Sequence, residues 1–194
     1  YGDSPDLPKV EEKIGPPLSP YAVSKLTNEI YSQNFSKVYG IETIGLRYFN
    51  VFGKRQDPNG PYAAVIPKFI SQLLNGENIT INGDPKISRD FTYVENVVQA
   101  NQLAATTDNP DALNTVYNVA CGESSTLEEL ISLLKKNLSL YKPQAANIEI
   151  IIGPERAGDV KHSLASIEKA KLFLKYNPKF SIDNGLEKTI SFYL

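Results

Sequence analysis

The sequence predicts an α/β chain built on a parallel sheet, followed by a smaller α/β lobe. Two observations predict it. A helix signal over residues 19–40 gives way to a strand signal over 42–49 and then to a polar loop containing Gly53, the order that a parallel sheet produces at its ligand edge. Beyond Pro61, short strand-like runs alternate with helical ones to the end of the chain.

Residues 1–18 carry prolines at 5, 8, 16 and 17 and read as a surface loop. Ser19 then offers an N-cap, Pro20 suits the first helical position, and Gly40 is a C-terminal stop. Between them Ala22, Leu26, Ile30, Phe35 and Val38 recur at helical spacing. Periodicity leaves open whether Ile30, Phe35 and Val38 face a core or a partner. The apolar character of 42–49 predicts a buried strand. A second helix is expected from 61 through 74, interrupted or restarted near Pro67. Strands follow at 79–81, 91–94, 116–119 and 147–152, with a helical pattern over 94–105. Thr126 with Glu129 forms a capping-box signature ahead of a third such run, and 166–176 and 182–192 read as amphipathic helices.

Composition narrows the function classes. The chain has 194 residues, 41 % hydrophobic and 22 % charged, ordinary values for a globular protein with a substantial core. The net charge of −2 supplies no basic field for nucleic acid or an anionic membrane, so any anion site must be built locally. One cysteine, Cys121, excludes an intrachain disulfide and suits a reducing, cytoplasmic compartment. One histidine, His162, excludes metal sites that need several imidazoles. No apolar run approaches the ~18 residues that cross a bilayer, and the polar opening Tyr1-Gly2-Asp3-Ser4 is unlike a signal peptide. With no methionine and an abrupt start before a loop, the chain is expected to be a segment of a longer protein.

The chemistry sits in Pro20-Tyr21-Ala22-Val23-Ser24-Lys25. Four-residue spacing puts a phenol and an ammonium on one helix face. A phenol is a poor base at neutral pH, but a neighbouring cation favours its anion, which can then accept a proton from a substrate hydroxyl. The spacing alone is common. Its context is not: Tyr1-Gly2-Asp3, Tyr21-x-x-x-Lys25, the run Arg47-Tyr48-Phe49-Asn50-Val51-Phe52-Gly53, then Ser88-Arg89-Asp90-Phe91 and Arg156-Ala157-Gly158-Asp159 occur in that order. This series resembles the extended short-chain dehydrogenase/reductase family, and the stretch from Gln56 to Pro67 is most similar to its UDP-N-acetylglucosamine 4-epimerase branch.

The resemblance implies the following. The fold is the C-terminal part of a Rossmann-type parallel-sheet domain plus a substrate-binding lobe. Residues 1–60 belong to the NAD-binding domain and 61–194 mainly to the lobe, some of whose segments can return to the first sheet. Tyr21 is the catalytic acid/base, and Lys25 bonds the nicotinamide ribose and favours the tyrosinate. Tyr48 lies near the nicotinamide and Asn50 contacts substrate. Ala64 and Val65 lie along the uracil, and Ile81 and Asn82 form a second uridine-contacting stretch, although as residues they read equally well as a strand end and turn. Arg89 and Arg156 hold the diphosphate, for which guanidinium forks are suited, and Asp159 accepts from the ribose. The cofactor is NAD, but its glycine-rich turn is not found: Gly2 and Gly15 lack the strand–turn–helix context. The chain alone is therefore expected neither to hold NAD tightly nor to turn over. The expected reaction of the intact protein is 4-epimerisation of a UDP-hexose, UDP-GlcNAc first, by a homodimer paired through the Tyr21 helix. A 4,6-dehydratase on the same scaffold and a non-catalytic nucleotide-sugar-binding module are the alternatives.

Overall fold

The computed structural model describes residues 1–2, 4–59, 64–155 and 162–194 of the chain. The first helix, α1 (Pro20–Tyr39), begins and ends as its caps dictate. The Ser19 hydroxyl accepts from the Ala22 N–H at 3.1 Å, and Gly40 closes the helix at φ 69° by donating to the Ser36 carbonyl. None of its residues is buried. Ile30, Phe35 and Val38 are all exposed, and the rings of Tyr31, Phe35 and Tyr39 pack in series along one side at 6.4 and 5.2 Å.

Two separate parallel strand pairs stand at the site. Strand β1 (Ile44–Tyr48) pairs with β6 (Thr115–Val119), and β2 (Val51–Phe52) pairs with β5 (Thr92–Tyr93). The chain changes partner between Phe49 and Asn50. The Phe49 N–H still donates to the Val119 carbonyl at 3.0 Å, whereas the Asn50 carbonyl accepts from Thr92 N–H at 3.2 Å. Asn50 makes the turn at φ 34°, where an asparagine is tolerated far better than a β-branched residue. A crevice opens where neighbouring strands part company in this way.

Further on, α2 (Val65–Asn75) leads to β3 (Ile79–Asn82), which pairs in parallel with β8 (Ile150–Gly153). Pro67 does not interrupt α2, because it falls in the first turn, where a missing N–H costs no intrahelical bond. Strand β4 (Ser88–Arg89) pairs antiparallel with β7 (Ser125–Thr126). Helix α3 (Val94–Thr106) follows β5 directly, and α4 (Leu127–Ser139) starts on the Thr126–Glu129 capping box, both halves of which form. Helices α5 (Glu168–Leu174) and α6 (Ile182–Tyr193) complete the chain.

Three further sequence expectations need correction. The strand expected as buried over 42–49 is shorter and only half-buried, since among the described residues it is paired along one edge alone. The strand expected from 147 begins at Ile150, because a 3-10 turn at Pro143–Asn147 occupies the preceding residues. The helix expected to reach 176 stops at Leu174, where Lys175 turns left-handed at φ 57°.

The core falls into two clusters. One gathers α2, β3, α4 and α6 around Phe52, Phe69, Leu73, Tyr93, Leu134 and Leu186. The other gathers α3, β6 and α5 around Phe49, Tyr117, Val119 and Leu174. Its buried phenols are satisfied: Tyr117 donates to the Ala112 carbonyl and Tyr176 to that of Ala120, each at 2.9 Å.

Candidate active site

Tyr21 and Lys25 lie on one face of α1, with the Lys25 ammonium 5.2 Å from the centre of the Tyr21 ring. Tyr21 is 71 % exposed and opens onto a cleft of about 750 Å³ between α1 and the edge of β1. It stands in the first turn of α1, two residues after the Ser19 cap. Tyr48 and Asn50 line the same cleft. Side chains alternate along β1, so Arg47 reaches α1 while the Tyr48 hydroxyl donates to Asn101 Oδ1 of α3 at 3.0 Å.

A second cleft, of about 490 Å³, lies where β2, α2 and β3 converge. Asn50, Ala64, Val65, Ile81, Asn82 and Arg89 all line it. Asn50 therefore borders both clefts, its amide donating to the Asp90 carbonyl at 3.1 Å. Apolar walls from Val65, Phe69 and Ile81 beside the guanidinium of Arg89 suit a flat base joined to an anion. Both volumes fall in the range of small-molecule sites. Of the site residues expected from sequence, Arg156 and Asp159 lie outside the described residues; the other nine are distributed over these two clefts, which share Asn50.

Sequence reasoning missed four side chains. Lys68 joins the second cleft; it lies three residues after Val65 on α2, so helical spacing carried the signal. Ser163 lines the Tyr21 cleft from the far end of the chain, a placement that no local pattern announces. The other two are Arg47 and Asp90. Arg47 forks onto Glu29 of α1. Burial works against its charge, but the bonds to Glu29 and Tyr1 more than restore it and its pKa is raised. Asp90 is fully buried, and burial pushes its carboxyl up to about 6 although three backbone N–H groups pull it down. Cys121, beside it, has its thiol pushed up to about 11 by burial and by the Asp90 charge, so it is a packed thiol rather than a nucleophile. His162 is used as a tie, its Nδ1 lying 2.9 Å from Ser88 Oγ. Among the described residues no cluster of His, Cys, Asp or Glu could hold a metal, and no helix is long and apolar enough to cross a membrane.

A phenol–ammonium pair stands at the mouth of one cleft, and Asn50, at the switch between two parallel strand pairs, is shared with a second pocket that Arg89 lines. Residues 1–120 match the NAD dependent epimerase/dehydratase family, and the chain belongs to that family. It is 34 % identical over 191 residues to a putative UDP-glucose 4-epimerase of Methanocaldococcus jannaschii, covering 98 % of this chain and 58 % of that protein. The structure superposes on the UDP-N-acetylglucosamine 4-epimerase of Methanobrevibacter ruminantium, solved with UDP-N-acetylmuramic acid, with a TM-score of 0.90 and 42 % identity, over 100 % of this chain and 59 % of that one. It also superposes on the UDP-glucose 4-epimerase of Thermotoga maritima, solved with UDP-glucose, with a TM-score of 0.89 and 36 % identity, at 100 % and 59 % coverage. The fold is the Rossmann-type α/β fold of these proteins, and the chain spans under two thirds of their length.

The described residues fit one end of the family's dinucleotide. Tyr21 and Lys25 present a hydroxyl and an ammonium to a cleft roomy enough for a nicotinamide riboside, whereas no described helix starts from a glycine-rich turn able to cradle a pyrophosphate.

Proposed function

We propose that the protein carrying this chain is a UDP-sugar 4-epimerase using tightly held NAD. The observation that supports it most is that the two clefts share Asn50 in their linings: one pocket suits a base and diphosphate, and the other presents Tyr21 and Lys25 where the sugar would lie. When bound, NAD supplies a reversible hydride acceptor at the sugar's C4. Tyr21, as phenolate, would take the proton of the 4-hydroxyl while C4 gives up its hydride to that acceptor, the two losses together leaving a 4-keto sugar; once the ring has turned over, hydride would come back to C4 and Tyr21 would return the proton to the same oxygen. Lys25 bonds the nicotinamide ribose and keeps a positive charge beside the phenol throughout. Arg89 anchors the diphosphate while the hexose rotates, and the assigned roles of Arg156 and Asp159 extend that grip to the second phosphate and the ribose. Ala64, Val65, Ile81 and Asn82 receive the uridine, and Tyr48 flanks the nicotinamide.

UDP-GlcNAc and UDP-GalNAc are the favoured pair, supported by the Gln56 to Pro67 stretch and by the 42 % identity to a UDP-N-acetylglucosamine 4-epimerase. The domain division at residue 60 belongs to the same reading, with β6, α3 and α5 returning to the cofactor side through the cluster around Phe49. So do a cytoplasmic site of action and a homodimer built on α1, whose exposed Ile30, Phe35 and Val38 give it an apolar side to bury. The test is proton NMR of the full-length protein with UDP-GlcNAc or UDP-glucose. Appearance of the C4 epimer, faster from UDP-GlcNAc, is expected; persistence of both substrates would remove the proposal.

A further inference from the structure

Asp90 follows Arg89 at the end of β4 and is fully buried. Its Oδ1 accepts from the Cys121 N–H at 2.9 Å, and its Oδ2 accepts from Gly122 at 3.1 Å and Ala165 at 3.3 Å. Its own carbonyl accepts from the Asn50 amide at 3.1 Å. These partners come from three separate segments: the strand switch at Asn50, the turn after β6, and the stretch leading into α5. Each segment touches the site. Asn50 borders both clefts, β6 pairs along the strand that carries Tyr48, and Ala165 stands two residues after Ser163, which lines the Tyr21 cleft. Directly before Asp90 comes Arg89, in the other cleft.

A buried carboxylate is a costly way to obtain cohesion, because an ionised group loses its hydration and needs several donors to compensate. What it provides here is three directional bonds from one side chain to two segments, the turn after β6 and the stretch leading into α5, while the main-chain carbonyl of the same residue holds the third at Asn50. We infer that Asp90 is a positioning residue for epimerisation: it sets the spacing between Arg89, which holds the nucleotide, and Asn50 and Ser163, which face the sugar. The inference rests on the proposed function. Nucleotide grip and sugar turnover occur in different clefts, so a change in their spacing should slow the reaction more than it weakens nucleotide binding. Misplacement by about 1 Å costs on the order of 10²-fold in rate.

The test is Asp90→Asn in the full-length protein, which keeps the shape but turns one acceptor into an NH2 group facing backbone N–H donors. The turnover number should fall at least about tenfold, while the dissociation constant of UDP, measured by calorimetry, should stay within about threefold. A variant that melts lower yet turns over like the parent per folded molecule would reduce Asp90 to a structural residue and overturn the inference. If Asp90→Asn does not fold, Ala165→Pro removes one donor and leaves the carboxylate in place, with the same kinetic split expected. A parent protein that converts no UDP-sugar defeats the epimerase reading instead. Hydrogen exchange then decides the role of Asp90: faster exchange across all three segments in Asp90→Asn is expected, and a change confined to the Cys121, Gly122 and Ala165 amides themselves would sink the inference.

Discussion

Arg47 grips Glu29 with both prongs of its guanidinium, Nε to Oε1 and Nη2 to Oε2, each at 2.8 Å. The third nitrogen donates to the Glu11 carbonyl at 3.0 Å, and the plane lies over the Tyr1 ring at 4.9 Å. Glu29 stands one turn beyond Lys25 on α1, a helix with no buried residue. A polar fork from β1 thus fixes the seating of the helix that carries Tyr21 and Lys25.

Lysine cannot reproduce this geometry, since it offers a single point of attachment. Arg47→Lys should therefore lower stability by about 1–2 kcal/mol, read as a shift in the denaturation midpoint at unchanged slope. Equal midpoints for parent and variant would mean that the fork contributes nothing to the seating of α1.

Asn50 combines a left-handed backbone with a side-chain bond to the Asp90 carbonyl. Two variants separate the contributions. Asn50→Gly keeps the backbone at ease and loses the amide; Asn50→Ala loses both. Alanine should be less stable than glycine by about 1 kcal/mol. The reverse order in thermal melts would show that the turn at φ 34° carries no strain.

Gly185 lets α6 approach the strand pair beneath it. A methyl group there would meet Phe52 Cζ at 2.7 Å and Tyr93 Cβ at 2.8 Å, both in the packed core. Gly185→Ala should cost about 1–3 kcal/mol through overpacking, despite alanine's better helix propensity. A gain in melting temperature would contradict the close packing of α6 on Phe52.

Asp90 makes stability depend on pH in an unusual direction. Its carboxyl is raised to about 6 from an ordinary 3.8, first by burial and also by the charge of Glu123, with Cys121 and Tyr176 the other titratable groups close to it and Arg89 its basic neighbour in sequence. The folded protein therefore takes up this proton before the unfolded chain does. Above pH 6 the buried charge weighs against folding; as pH falls from about 6 towards 4 that cost is relieved, so this group's contribution to stability rises. Between pH 7 and 4 the parent should gain on the order of 2–3 kcal/mol relative to Asp90→Asn. Parallel stability–pH curves would show that Asp90 titrates alike in the folded and unfolded chain.

Much of this architecture was legible in the residues because its signals are local. Ser19, Pro20 and Gly40 delimit α1 through bonds within one turn, and Thr126 with Glu129 does the same for α4. The short strands β2, β4 and β7 escaped notice because two residues carry no periodicity. The site divides along the same line. Tyr21 and Lys25 stand out through an ordered series of local motifs, of which their helical spacing is only one member, whereas Ser163, 142 positions after Tyr21, reaches the same cleft only through tertiary packing. Arg47 and Asp90 stood inside recognisable motifs, but their partners Glu29, Cys121, Gly122 and Ala165 are set by how segments meet.

The most direct measurement is the turnover of Tyr21→Phe in the full-length protein, set beside its affinity for UDP. Losing the one hydroxyl that exchanges a proton with the sugar should depress the rate about 10³-fold and leave UDP binding unchanged. Epimerisation at the parental rate would contradict the role assigned to Tyr21, and with it the enzyme reading of this fold.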